Sequence, residues 1–196
     1  MKYTALIVTF NRLGKLKKTV EETLKLEFTN IVIVNNGSTD GTQAWLSSIV
    51  DTRVIVLTLT ENTGGAGGFK TGSQYICEQL ASDWVFFYDD DAYPYPDTLK
   101  SFSQLDKRGC RVFSGLVKDP QGKPCPMNMP FSRVPTSLGD TVRYLRYPGE
   151  FIPAANRSMF VQTVSFVGMV IHRDLLATSL DYIREQLFIY FDDLYF

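Results

Sequence analysis

Trp84-Val85-Phe86-Phe87-Tyr88-Asp89-Asp90-Asp91 is the stretch around which the rest of the chain is organised. Five consecutive apolar or aromatic residues read as a strand buried on both faces, the kind found inside parallel sheets. Three carboxylates then emerge at its carboxyl end. In open α/β sheets that edge is where ligands bind. Adjacent acidic side chains repel one another, a cost that a divalent cation removes. Alternate residues of an extended chain point the same way, so Asp89 and Asp91 are suited to share one ion. The plainer alternative for the same residues is a solvated acidic turn ahead of Pro94.

Outward from this strand, Tyr3–Thr9, Ile31–Val34 and Val54–Thr58 are further apolar, β-rich runs. Between them Leu13, Leu16 and Val20 recur at helical spacing, as do Trp45, Leu46 and Ile49, then Phe69, Ser73, Ile76 and Leu80. Such alternation predicts βαβ units: an α/β fold with a Rossmann-like, mostly parallel sheet flanked by helices. A helix carrying Leu99, Phe102 and Leu105 follows, then a strand over Val112–Val117. Residues 118–160 change character, because Pro120, Pro124, Pro126, Pro130 and Pro135 interrupt regular structure while aromatic residues persist. They read as a long excursion lining a substrate site, with strand character resuming over Val161–Ile171.

The expected organisation is one domain over 1–196, with a nucleotide-binding half to about residue 117 and an acceptor-side half beyond it. The chain stops at Phe196, just past Asp192-Asp193, which leads us to expect a truncated carboxyl terminus. A formal net charge of −1 supplies no global field for nucleic acid, so any anionic partner must be met locally. Cys77, Cys110 and Cys125 are odd in number and lack C-x-x-C spacing, which favours reduced thiols over a disulfide framework or zinc site. The opening MKYTALIVTF turns polar too quickly for a signal peptide, and no apolar run is long enough to cross a bilayer. The expectation is a cytoplasmic protein without a transmembrane segment, peripheral association with the inner membrane being left open.

Three more segments end strands in polar or glycine-rich turns. Asn62-Thr63-Gly64-Gly65-Ala66-Gly67-Gly68-Phe69 reads as a glycine-rich loop ahead of a helix. Glycines permit close backbone approach, and a helix N-terminus favours phosphate. A flexible strand–helix turn is the alternative. Asn35-Asn36-Gly37-Ser38-Thr39-Asp40-Gly41-Thr42 offers amides and hydroxyls to a base and ribose, or simply caps the next helix through Thr39 or Asp40. Thr9-Phe10-Asn11-Arg12 closes the first strand in the same plane. The coincidence of four such strand ends weighs more than any one of them.

Taken together, T-F-N-R (9–12), N-N-G-S-T-D-G-T (35–42), N-T-G-G-A-G-G-F (62–69) and D-D-D-A (89–92) resemble family 2 glycosyltransferases with the GT-A fold. The resemblance is firm over roughly residues 3–117 and looser to 196. It implies a nucleotide-sugar donor held by Thr9, Asn11, Arg12, Asn35, Asn36, Ser38, Asn62, Gly64, Gly65, Gly67, Gly68, Asp89 and Asp90. It also implies Mn²⁺ or Mg²⁺ on Asp89 and Asp91, bridging the diphosphate. With F-D-D-L-Y-F at 191–196, the pattern looks most like the galactofuranosyltransferase and rhamnosyltransferase branch. There the late acidic motif supplies the base, which points to Asp193, with Asp192 as the neighbour able to take the role. A helix cap is the alternative for that pair.

Two departures stand out. Asn35 occupies a position where the family usually has Asp. The only histidine, His172, precedes the late acidic motif and reads as structural or surface-exposed rather than as a metal ligand. The resemblance implies an inverting transfer from UDP-galactofuranose, or from dTDP-rhamnose, to a bacterial surface glycan on a lipid carrier. A nucleotidyltransferase would instead place a basic glycine loop directly after the first strand. A non-catalytic nucleotide-sugar-binding module is the remaining rival.

Overall fold

The computed structural model describes residues 1–154 and 158–184. Its centre is a six-stranded sheet in the order β3-β2-β1-β4-β6-β5. Strands β1 (Tyr3–Thr9), β2 (Asn30–Asn35), β3 (Val54–Thr58) and β4 (Trp84–Asp89) are parallel. Both β1 and β4 are apolar on each face, as burial on both sides requires. Helices α1 (Leu13–Leu24), α2 (Thr42–Leu46) and α3 (Gly64–Gln79) make the crossovers, and α4 (Thr98–Gln104) follows β4. The helices fall on both faces. Leu16 and Val20 of α1, Leu46 of α2 and Leu99 and Phe102 of α4 pack with Tyr3, Ala5 and Ile7, while Ala66, Phe69 and Ile76 of α3 pack with Leu6, Val8 and Val34.

Tyr3, Phe28, Trp84, Phe86, Phe102 and Phe113 form a run of edge-on or tilted ring contacts with centroids 5.0–6.1 Å apart. Such pairs add about 0.5–1.5 kcal/mol each beyond area burial. They fix β4, and with it the carboxylates at its end.

The remaining strands are shorter than the sequence predicts. β5 spans only Val112–Ser114, and β6 only Met169–His172, each antiparallel to its neighbours. The Gly115 amide carries the β5–β6 pairing one residue further by donating to the carbonyl of Gly168, whose own amide donates to Phe87. Gly168 sits at φ +89°, a conformation other residues rarely adopt, so the strand breaks there. Residues 161–165 pair instead with the irregular excursion: Gln162 N donates to Phe131 O, and Phe131 N to the Thr163 hydroxyl.

That excursion is not structureless. It holds α5 (Leu138–Arg146), capped by the Ser137 hydroxyl, which accepts from Asp140 N at 3.0 Å. Tyr144 packs on Phe131 and on the fully buried Phe151. After β6, α6 (Arg173–Ser179) returns over the α3 face with Leu176 buried. His172 caps α6 through Nδ1, which accepts from Asp174 N, and lies edge-on to Trp84. That is a structural role, as the sequence suggested. No described helix is long and apolar enough to cross a membrane.

The glycine-rich segment needs the largest correction. Gly64, Gly65, Gly67 and Gly68 are not a loop ahead of α3; they are its first turns. Glycine in a helix costs about 1 kcal/mol relative to alanine, so the sequence reads as a break. Packing overrides that preference. A Cβ at Gly68 would lie 2.5 Å from Val8 Cγ1, and one at Gly72 would overlap Leu6 Cδ1 and sit 3.0 Å from Val34 Cγ2. Bare glycines let α3 lie directly on β1 and β2.

Candidate active site

The strand order reverses at β1. The chain steps outward through β2 and β3, then crosses back to place β4 on the other side of β1. A topological switch point of this kind leaves a crevice between the carboxyl ends of the two central strands, here β1 and β4. The acidic triplet lies there.

Asp90 joins the two strand ends. Its side chain is almost completely buried, and Oδ2 accepts from the Thr9 hydroxyl at 2.8 Å. Its carbonyl accepts from the Thr19 hydroxyl of α1 at 2.8 Å. Burial pushes the Asp90 carboxyl above the ordinary carboxylate range, while the Thr9 hydroxyl and the Arg12 guanidinium pull it partly back. A carboxyl raised in the folded state favours folding below its unfolded value, near pH 4, and works against it at neutral pH.

Asp91 is the exposed member. Its Oδ2 lies 2.9 Å from Arg12 Nη1 and 2.8 Å from Lys15 Nζ. Asp89, the last residue of β4, is half-buried. Among the described residues no three or more His, Cys, Asp or Glu side chains gather to hold an ion unaided. Two hard carboxylates completed by ligand phosphates are instead the usual donor set of Mg²⁺-type ions. Asp91 already neutralises two cationic heads, so positive charge has a place there. Asp89 and Asp91 are donors of the type that fits a divalent cation.

The β1 and β2 turns are stitched to each other. Asn11, at φ +51°, donates its amide to Ser38 Oγ at 3.0 Å and accepts from Thr39 N at 2.7 Å through Oδ1. Asp40 reaches two helix starts at once: Oδ2 accepts from Leu13 N at 3.0 Å, and Oδ1 accepts from Thr42 N at 3.2 Å and from the Thr42 hydroxyl at 2.6 Å. Asp40 stands one residue ahead of the α2 cap position, yet its side chain satisfies first-turn amides of both α1 and α2. Thr39 does not sit at the cap position, which Gly41 occupies at φ +88°.

Asn36 ties β2 to α3. Its Nδ2 donates to Asn62 Oδ1 and Gly64 O, and its Oδ1 accepts from the Thr63 amide and hydroxyl, all at 2.8–3.0 Å. Asn35 is equally buried: its Nδ2 donates to Gln43 Oε1, and its Oδ1 accepts from Ser38 N.

With this edge defined, similarity to known proteins becomes informative. The family description "Glycosyl transferase family 2" matches residues 4–164. The chain belongs to glycosyl transferase family 2. No curated protein sequence matches it significantly. Among solved structures, S. aureus TarS 1-349 is 20% identical with a TM-score of 0.69, over 100% of this chain and 54% of that one. Mannosyl-3-phosphoglycerate synthase from Rubrobacter xylanophilus is 17% identical with a TM-score of 0.54, over 89% of this chain and 54% of that one. The mannosyltransferase PcManGT from Pyrobaculum calidifontis, in complex with GDP-Man and Mn²⁺, is 23% identical with a TM-score of 0.50, over 61% of this chain and 36% of that one. The chain thus spans about half the length of the TarS structure, and the shared fold is the GT-A fold of family 2 glycosyltransferases.

Within this family 2 domain most of the residues expected to hold the donor or, for Asp89 and Asp91, the metal fall into two groups. Thr9, Asn11, Arg12, Ser38, Asp89, Asp90 and Asp91 converge on the switch-point crevice and its rim. Asn35, Asn36 and Asn62 have their side chains engaged in loop-to-loop bonds, and Gly67 and Gly68 face Thr63 and Val8. These residues shape the edge, and Gly65 is the glycine of the set left half-exposed at the start of α3. Asp192 and Asp193 lie outside the described residues. Lys15 was missed by sequence reasoning. Its signal was present all the same: a cation in a first helical turn, where acidic residues are favoured.

Proposed function

We propose that the chain is the catalytic domain of an inverting, metal-dependent glycosyltransferase, with residues to about 117 holding the nucleotide-sugar donor and the later half facing the acceptor. The observation that carries this reading is the Asp89–Asp91 triplet at the switch point, faced by the cationic start of α1. Our best assignment of the donor is UDP-galactofuranose and of the acceptor a hydroxyl of a bacterial surface glycan, by resemblance of 62–69, 89–92 and 191–196 to that branch. The same motifs make dTDP-rhamnose the nearest alternative donor. A lipid-linked acceptor would place the work at the cytoplasmic face of the inner membrane.

In this mechanism Asp193 takes the proton from the acceptor hydroxyl as that oxygen attacks the anomeric carbon. The bond from that carbon to the diphosphate breaks, with inversion, and the bonding pair leaves on the nucleoside diphosphate. Arg12, Lys15 and the positive helix starts oppose the growing negative charge. Asp89 and Asp91 would hold a Mn²⁺ or Mg²⁺ ion, which neutralises diphosphate charge when bound.

Calorimetric titration of UDP with Mn²⁺, and again after EDTA, tests the cation. Binding is expected with the metal and not without it; equal affinity in both overturns the metal assignment. UDP or dTDP release from a panel of nucleotide sugars then identifies the donor. Binding without turnover of any sugar favours the non-catalytic module.

A further inference from the structure

Helix starts carry partial positive charge, and acidic side chains are favoured in the first turn. The start of α1 inverts that rule. Arg12 stands at its cap position and Lys15 lies in its first turn, which contains no acidic residue. Both cations lean to one atom: Asp91 Oδ2 lies 2.9 Å from Arg12 Nη1 and 2.8 Å from Lys15 Nζ. Arg12 Nη1 also stands 3.5 Å from Asp90 Oδ1. About half of each cationic side chain is exposed, so the contacts are exchangeable rather than locked into the core. Two cations at the start of a helix, held among the described residues by Asp91, which the proposed function gives to a metal, and by Asp90, are poorly explained as a stabilising device.

We propose that Lys15, together with Arg12, is an internal counter-ion that occupies Asp91 while the site is empty and passes to the donor's diphosphate when that carboxylate is given over to a divalent cation. This inference rests on the reading of Asp91 as a metal ligand. It makes Lys15 a residue with opposite effects on the two ligands. Against the bare metal it competes for Asp91. With the metal in place, the freed ammonium and the α1 start face the same diphosphate, and a charge-assisted contact to phosphate adds to donor affinity.

Lys15→Met keeps the aliphatic stem and removes the charge. Mn²⁺ alone, followed by its electron paramagnetic resonance signal, should bind the variant roughly two- to fivefold more tightly than the wild type, the range of an exposed ion pair. UDP titrated calorimetrically at saturating Mn²⁺ should bind it about tenfold more weakly. Lys15→Arg should restore both values toward wild type. Shifts of the same sign for the two ligands, or no shift in either, overturn the counter-ion role while leaving the metal site standing. A wild type that takes up neither Mn²⁺ nor UDP with Mn²⁺ overturns the metal reading itself, and this inference with it.

Discussion

Gly72→Val should cost about 3 kcal/mol or more of folding stability, the upper end of what overpacking a core produces. Even a Cβ at this position would overlap Leu6 Cδ1 and crowd Val34 Cγ2, and both of those side chains are fully buried with nowhere to retreat. Domains of this size are stable by about 5–15 kcal/mol, so one substitution would remove a large share. Denaturant unfolding of the variant against the wild type measures it. Gly14→Ala is the control, since Gly14 lies within α1 and a Cβ there meets nothing within 4 Å. That change should raise stability by about 0.4–1 kcal/mol. A Gly72→Val protein as stable as wild type would mean that α3 does not lie as closely on β1 as described.

Asp193→Asn should lower turnover by about 10²–10⁴-fold with donor affinity nearly unchanged, because a general base acts on the acceptor's proton and not on the bound nucleotide. Asp91→Asn should behave differently and weaken donor and metal together. The contrast comes from their positions in the proposed mechanism: Asp91 at the β4 edge beside Arg12 and Lys15, Asp193 in the late acidic motif. Steady-state rates and UDP affinities, measured on enzyme that turns over the donor, separate the two. If Asp192→Asn loses turnover and Asp193→Asn does not, the roles are exchanged. If neither matters, the base lies elsewhere.

β1 and β3 coincide with the runs picked out by their apolar residues, and β2 and β4 extend those runs by a residue at one or both ends. Central parallel strands announce themselves, since burial on both faces demands continuous apolar sequence. The four strand-end turns were legible for the same reason: each interrupts such a run with residues that would not survive inside it. What escaped the sequence depends on partners far along the chain. Residues 64–68 look like a loop until Val8 is seen pressing against Gly68 and Leu6 against Gly72 in the same helix. Val161–Ile171 looks like one strand until Gln162 and Thr163 are found bonded to Phe131 and Gly168 turns the backbone. α5 hid among prolines, although Ser137 followed three residues later by Asp140 was a readable start signal. Loop-to-loop bonds such as those of Asn36 cannot be read from one segment alone, so bridging residues and ligand-facing ones looked alike.

The carboxylate of Asp40 ends two helices, and this makes the rim of the crevice a single mechanical part. Neither α1 nor α2 can fray at its start without releasing the same side chain, so the amides of Leu13 and Thr42 should exchange their hydrogens in one concerted opening, not two independent ones. The Thr42 hydroxyl and the Leu13 amide hold the Asp40 carboxyl below its ordinary value. The clasp is therefore closed at neutral pH, and its contribution fades only as the pH falls below the unfolded value, near 4, and on through the lowered folded one. A rim built this way ties the starts of α1 and α2 to one carboxylate, so a substitution at Asp40 should loosen both helix starts together.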